Sequence, residues 1–410
     1  MSFNRKSDLS PPFNLPMGFG YDELQEFLRL CTRLGVSDLT IQSGDYVWGE
    51  LRRVHTRMTD RRLEHNEVEM LVNFTYAATG VGQLIAGSPI DYEYEMPFER
   101  GDFKRVMRFR CNATASRIGG IANGISVTMR TIPGLPMKWE QMNVPLDIHE
   151  NFFPQYGAVF VLGTTGSGKS TLLAAANRYR LEQHEPKKII TYEEPIEAVY
   201  TGLAKGRMPQ PSQVQIGSHL KHFADAGRNA MRRKADVIVM GESRDAESVN
   251  ACLEMALSGH AVYSTLHADT PSEFFARMVS FFPEDAQPAA ANKLLGVTRL
   301  VVAQKLTRRT DGNVVALRSW LVVDREVVER LSQAQFFQWG TIVGDIIAKR
   351  GTDFESQALP LLINKEIDYE RFLEVVRMTI AESIEYLSKH NLEHLIPEKY
   401  LARRRALTES

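Results

Sequence analysis

The chain has little cysteine, no long apolar run and almost no net charge, and each shortage removes a class of protein. Three cysteines, Cys31, Cys111 and Cys252, stand far apart in 410 residues, odd in number and without C-x-x-C spacing. Neither a disulfide framework nor a cysteine zinc site is expected, and the three read as buried or incidental thiols. Nowhere are there the roughly eighteen consecutive apolar residues of a membrane-spanning helix. The stretch from Met1 to Met17 holds Arg5, Lys6, Asp8 and three prolines, without the apolar core of a signal peptide. A cytoplasmic protein is therefore expected. Forty-nine Lys+Arg against fifty Asp+Glu leave −1 at pH 7, so there is no chain-wide basic field of the kind that drives non-specific nucleic-acid binding. Direct nucleic-acid binding is not expected, and it would need a local patch. Internal repeats and low-complexity tracts are also lacking. What is present is an ordinary globular composition, 43% apolar and 24% charged, long enough for two or three domains, each with its own core.

Periodicity divides the chain. Residues 1–18, rich in Pro, Ser and Asn, read as a flexible arm. Over 19–132 the pattern is α+β: Leu24, Phe27, Leu28, Cys31 and Leu34 recur at helical spacing up to a Gly35 stop. Short β-prone runs follow, then a second helical stretch around Glu67 to Tyr76. The segment DYEYEMPFERGDFKRVMRFRCNATAS alternates like a hairpin, and ISVTMRTIP adds a strand. Residues 133–150 begin with the Pro/Gly content of a linker. From 151 to 324, apolar strands alternate with helices, which predicts an α/β domain with a parallel sheet. Its expected strands are AVFVLG (158–163), KKIITYEE (187–194), DVIVMGE (236–242), HAVYSTLHA (260–268) and LVVAQKL (300–306). The region 325–410 reads as helical, including 368–390, whose apolar stripe packs on something the pattern does not identify.

One motif carries chemistry on its own. Gly163-Thr164-Thr165-Gly166-Ser167-Gly168-Lys169-Ser170-Thr171 satisfies GxxxxGK[ST], follows a buried strand and opens a helical run. Chance would produce those fixed residues about once per hundred chains of this length. Glycines let several backbone N–H groups face one anion, and the following helix adds the positive end of its dipole. In such a loop Lys169 bridges the β- and γ-phosphates of ATP and the Ser170 hydroxyl ligates Mg²⁺. Thr171, already inside the helix, is the weaker candidate.

Acidic residues mark the ends of neighbouring strands. Glu242 ends the run DVIVMGE and would emerge beside the phosphate loop, where it could order the Mg²⁺ water shell or the attacking water. Asp236, at the opposite end of that run, reads as a solvated cap. Thr191-Tyr192-Glu193-Glu194-Pro195-Ile196-Glu197 gathers three carboxylates where another strand ends, and a solvated acidic turn is the competing reading. His260 and His267 bracket AVYSTL at an odd separation, so on a strand they face opposite ways and form no metal pair.

The order of these boxes resembles the secretion-motor ATPase superfamily, which includes the pilus-retraction and type IV secretion motors. GTTGSGKST is similar to its Walker A box, TYEEPIE to its Asp box, VIVMGESRD to its Walker B box and SGHAVYSTLHAD to its His box. GVSDLTIQSG, RFRCNATA and MRTIPGLP resemble its N-terminal signatures, so the likeness spans roughly residues 22 to 323. The phrases ASRIGGI, GRNAMRRKADVIVMGESRDAES and the DGNVVALRSWLVVD hairpin most resemble the DotB/TraJ-like motors of type IVB secretion and plasmid conjugation.

This resemblance implies a RecA-like P-loop motor domain behind a PAS-like N-terminal domain, assembled as a homo-hexamer with ATP between subunits. It makes Glu193 the catalytic Asp-box glutamate, Glu242 the Walker B glutamate and His267 a sensor of phosphate state. Glu194 stands where the family usually has aspartate. The RFR strand would supply Arg108 and Arg110 to a neighbour's site, with Arg130 another candidate. From spacing alone, Arg228 and Arg232, four apart on one helical face before VIVMGE, read as an additional phosphate or interface pair. The implied function is an ATP-hydrolysing motor, docked through protein partners on an inner-membrane secretion or conjugation complex. Alternatives are a pilus-retraction motor, a DNA-translocating ATPase and a nucleotide-gated adaptor. Arg403-Arg404-Arg405 reads as a frayed terminus.

Overall fold

In the computed structural model the described residues are 13–401, apart from 17, 52–53, 101–105, 133, 184–185, 201–202, 204–208 and 218. The arm up to Pro12 and the Arg403–Arg405 patch lie outside them. The chain divides into two units, Met1–Gly134 and Leu135–Ser410.

The first unit is built on six strands: β1 (Asp38–Gln42), β2 (Trp48–Leu51), β3 (Val54–Arg57), β4 (Ile90–Pro97), β5 (Val106–Ile118) and β6 (Ile121–Ile132). They form one sheet in the order β3-β2-β1-β6-β5-β4, every neighbour antiparallel. Helices α1 (Tyr21–Leu34), α2 (His65–Thr75) and the short α3 (Gly80–Ile85) accompany it. Helix α1 buries Leu24, Phe27, Leu28 and Cys31 and ends at Gly35, whose φ of 76° is the left-handed cap glycine takes without a Cβ penalty. Leu34, counted with the apolar stripe in the sequence, is exposed. The end of the expected arm is anchored: the Phe13 ring meets Phe27 at 5.1 Å, and the Leu15 amide donates to Asp60.

In the second unit a 3-10 turn (Trp139–Met142) and α4 (Leu146–Asn151) precede the alternation that the sequence predicts. It runs β7 (Gly157–Leu162), α5 (Lys169–Glu182), β8 (Ile189–Glu193), β9 (Ser212–Gln215), α6 (Ala224–Arg232), β10 (Val237–Met240), α7 (Ala246–Leu257), β11 (Ala261–Leu266), α8 (Pro271–Val279) and α9 (Gln287–Val297). The hairpin β12 (Thr298–Arg308) and β13 (Val314–Val322) closes it. The sheet order is β13-β12-β7-β11-β10-β8-β9, parallel except for the β12–β13 pair. Every residue of β7, β10 and β11 is buried, the mark of strands covered on both faces. Alternation assigns the faces: Ala158, Phe160 and Leu162 join one core, Val159 and Val161 the other.

The helical region is part of this unit's core. It comprises α10 (Arg325–Ser332), α11 (Trp339–Arg350), α12 (Phe354–Ile363), α13 (Tyr369–Val376) and α14 (Ile380–Lys389). Trp339, Val343, Phe372 and Leu387 share one cluster with Phe160 and Val262, and the Trp339 ring meets Phe275 edge-on at 5.1 Å. The stripe read over 368–390 is two helices: Arg377 takes a left-handed φ of 58° and Thr379 caps α14 through the Glu382 amide. The stretch read as linker also differs. Trp139 and Met142 are buried against α5, with Trp139 among the rings of His149, Phe152, Phe153 and Tyr179.

Candidate active site

In a parallel sheet the carboxyl ends of adjacent strands open on one edge, and ligands bind there. The order β7-β11-β10-β8 therefore brings the four boxes together: the phosphate loop after β7, His267 after β11, Glu242 after β10 and Glu193 at the end of β8. Main-chain bonds lock these ends in register, Gly163 N–H to Leu266 O at 3.3 Å and Gly241 N–H to Tyr192 O at 2.7 Å.

The loop's glycines are required by geometry. A Cβ on Gly163 would lie 2.6 Å from the Gln304 carbonyl and would also overlap the Ser167 hydroxyl, at a φ of 146°. Gly168, at a φ of 84°, has the Gln304 amide nitrogen 2.8 Å from where its Cβ would be. Gly163→Ala is accordingly expected to lower the melting temperature by several degrees and to weaken nucleotide binding at least tenfold, read by thermal denaturation and fluorescent-nucleotide titration; a variant unchanged in both would refute the close-packed loop.

Lys169 opens α5, buried, with its ammonium donating to the Gly163 carbonyl at 2.8 Å and the Thr164 carbonyl at 3.0 Å. Burial pushes its pKa below the ordinary lysine value, against the upward pull of the Glu242 and Glu197 carboxylates. Thr164, Thr165, Gly166 and Thr171 are exposed and Ser170 half-buried on the first turn of α5. The buried Ser167 hydroxyl has no hydrogen-bond partner. A cradle without room for side-chain carbon, a lysine at its mouth and an unmatched hydroxyl fit a phosphate chain, with Ser170 placed to reach a cation on it.

The acidic groups take distinct environments. Glu242 stands 3.0 Å from the Nε2 atom of His267, so the two strand ends share one polar contact. Glu193 accepts from the Thr191 hydroxyl at 2.5 Å. Burial pushes its pKa above the ordinary glutamate value, against the hydrogen bonds from Thr191 and Gln213. Glu194 turns away to pair with Arg244 at 2.6 Å. A cavity of about 440 Å³ beside the loop is lined by Gly163, Thr164, His267, Asp269, Glu273 and Arg277 among others. The cavity thus opens on the phosphate loop at Gly163 and Thr164, the residues whose carbonyls hold the Lys169 ammonium, and on His267, the partner of Glu242.

Other sequence candidates lie elsewhere. His260 caps α7, its Nδ1 3.0 Å from the Met255 carbonyl. Asp236 accepts from the Lys188 amide at 2.8 Å. In the first unit, Arg108 and Arg110 project to the same side of β5 but fare differently. Arg108 is buried 2.6 Å from Glu93 and 2.7 Å from Glu95. Arg110 is exposed and has no ion pair among the described residues. Arg130 pairs with Asp38 at 2.7 Å, and Arg228 and Arg232 lie exposed on α6. Residues that the sequence did not mark are Gln304, which holds the loop from β12, and Arg277.

Comparison with known proteins agrees with this arrangement. The family model described as type II/IV secretion system protein matches residues 126–338. The uncharacterized protein YggR of Escherichia coli is 31% identical over 73% of this chain and 86% of its own length. The type IV pilus retraction ATPase PilT of Pseudomonas aeruginosa is 28% identical over 73% of this chain and 82% of its own. Among solved structures, the Legionella pneumophila ATPase DotB is 35% identical with a TM-score of 0.79, covering 90% of this chain and 100% of that one. With that family model matching over half of the chain and a relative 31% identical over 86% of its own length, the chain is a member of the type II/IV secretion system protein family.

Proposed function

We propose that the protein is an ATP-hydrolysing motor, working as a homo-hexamer that powers a type IVB secretion or conjugative transfer apparatus at the cytoplasmic face of the inner membrane. The observation that carries the ATPase reading is the single sheet edge on which Lys169, Glu193 and the Glu242–His267 pair converge. Lys169 and the loop N–H groups hold the phosphates, and Glu193, its proton affinity raised by burial, takes the proton of the attacking water. Glu242 orients that water, and His267 reports on the phosphate through its contact with Glu242. When bound, Mg²⁺ neutralises charge on the phosphate oxygens, and Ser170 is the side chain placed to ligate it. The exposed Arg110 acts on the neighbouring subunit's nucleotide, while Arg108, tied to Glu93 and Glu95, holds β4 and β5 together.

The type IVB assignment rests on the likeness to DotB, which extends over all of that chain. A retraction motor is the second reading, favoured by the likeness to PilT. No helix among the described residues is long and apolar enough to cross a membrane, so attachment to the apparatus runs through partner proteins. The test is loss of the gene in its own host. Secretion or conjugative transfer should fall and return with the wild-type copy but not with a phosphate-loop variant. Intact transfer with lost pilus retraction would favour the second reading, and a purified chain that neither hydrolyses ATP nor forms hexamers would sink both.

A further inference from the structure

Beneath the phosphate loop lies a polar pair that none of the four boxes contains. Gln304 and Arg318 face each other across the β12–β13 hairpin, and both are buried, 1% and 3% exposed. The Arg318 Nε atom donates to Gln304 Oε1 at 2.9 Å, and its two terminal nitrogens donate to the Asn143 and Met142 carbonyls at 3.1 and 2.9 Å. No carboxylate lies within ion-pair distance of Arg318 among the described residues. A desolvated guanidinium without a counter-charge is costly, so its placement here calls for a purpose beyond packing.

The orientation of Gln304 follows from donor logic. A guanidinium only donates, so the carboxamide must turn its oxygen to Arg318 and its NH₂ the other way. That NH₂ donates to the Ser167 carbonyl at 2.7 Å. In a trans peptide the C=O and the following N–H point in opposite directions. Holding the Ser167 carbonyl from below therefore aims the Gly168 N–H at the opposite side, where the loop opens. The Ser167 hydroxyl has no hydrogen-bond partner, so the carboxamide holds the peptide and not the side chain.

We propose that Gln304 and Arg318 are positioning residues for the phosphate loop, Arg318 fixing the Gln304 carboxamide so that the Ser167–Gly168 peptide presents its N–H to the nucleotide phosphates. The inference rests on the reading of this loop as an ATP site. The same guanidinium binds the carbonyls that end the Trp139–Met142 turn, and Arg178 of α5 donates to the Pro136 carbonyl at 2.5 Å. The entry segment of the second unit and the loop are thus parts of one braced assembly.

The test uses the full chain with Gln304→Glu, Gln304→Met and Arg318→Lys, titrated with Mg·ATP and a fluorescent ATP analogue, with circular dichroism and melting temperature alongside. Gln304→Glu keeps the Arg318 partner and strengthens it, but replaces the donor to Ser167 with an oxygen that repels the carbonyl. It should bind ATP about tenfold or more weakly while melting at or above the wild-type temperature, because one lost charge-influenced hydrogen bond corresponds to about that factor. Gln304→Met should also weaken binding, and Arg318→Lys, which keeps charge but loses the fork, should do so by a smaller factor. At saturating ATP, kcat should recover much of its value while KM stays raised. Affinities within twofold of wild type in the folded variants would overturn the proposal. So would failure of all three to fold, since the pair would then be a requirement of the fold. Wild-type chain that binds no ATP would instead overturn the ATP-site reading itself.

Discussion

Lys169→Ala is expected to abolish ATP hydrolysis. The ammonium sits at the mouth of the loop, held by two loop carbonyls, and is the group placed to neutralise charge developing on the transferred phosphoryl group. Removing one preorganised electrostatic contact of this kind costs on the order of 10² to 10³ in rate, and the lysine also contributes to binding, so turnover should fall to background. Folding should survive. The carbonyls it releases lie in a loop whose neighbouring residues Thr164 to Gly166 are exposed, so water can replace the ammonium. Unchanged circular dichroism with no release of inorganic phosphate is the expected pair of results; full activity in a folded variant would remove the phosphate loop from the mechanism.

Glu193→Gln should slow hydrolysis by about 10² to 10⁴, the usual contribution of a general base, while nucleotide binding persists. Its effect on stability has the opposite sign. Burial raises the folded-state pKa of Glu193 above its unfolded value, so the folded chain holds this proton more tightly. The stability so gained is present in acid, below the unfolded pKa, and is lost as pH rises through the folded pKa. Above the folded-state pKa the ionised carboxylate is a cost that glutamine avoids. The variant should therefore melt at or above the wild-type temperature at pH 8, with the difference shrinking toward acid pH, where wild type is protonated as well. The same variant tests the arrangement of the ring. Arg110 is exposed where Arg108 is engaged, and a well-placed arginine contributes about 10³ to 10⁵ to phosphoryl transfer. If Arg110 serves the neighbouring site, mixing inactive Glu193→Gln subunits with inactive Arg110→Ala subunits creates interfaces that join an intact Glu193 to an intact Arg110. Activity should return on mixing. Two residues acting within one chain would never meet intact in such a mixture, so no recovery at any ratio would place Arg110 outside the neighbour's site.

What the sequence made legible was local. A phosphate loop is written in nine consecutive residues, and Glu242 and His267 each end a short buried strand, so strand alternation alone puts them on one edge. The Gln304 and Arg318 contacts were not legible, because their partners lie 137 and 175 positions away along the chain and neither residue type is unusual in a strand. Strand β9 was missed for a different reason: its four residues, SQVQ, are all half-buried and carry no apolar alternation. The break between α13 and α14 did leave a signal, the Thr379-x-x-Glu382 capping box, but the apolar stripe ran across it. Trp139 was hidden inside a Pro/Gly-rich phrase, where composition reads as linker although a single indole is enough to fasten the segment to a core.

The three scarce cysteines end up serving as sentinels of folding. Cys31 and Cys111 lie in the core of the first unit and Cys252 in that of the second, and burial lifts their pKa values to about 12, about 12 and about 11. The reactive thiolate is thus nearly absent while a unit is closed. Oxidants and alkylating reagents meet these sulfurs only through transient opening, so thiol chemistry in this chain keeps time with the breathing of each unit separately.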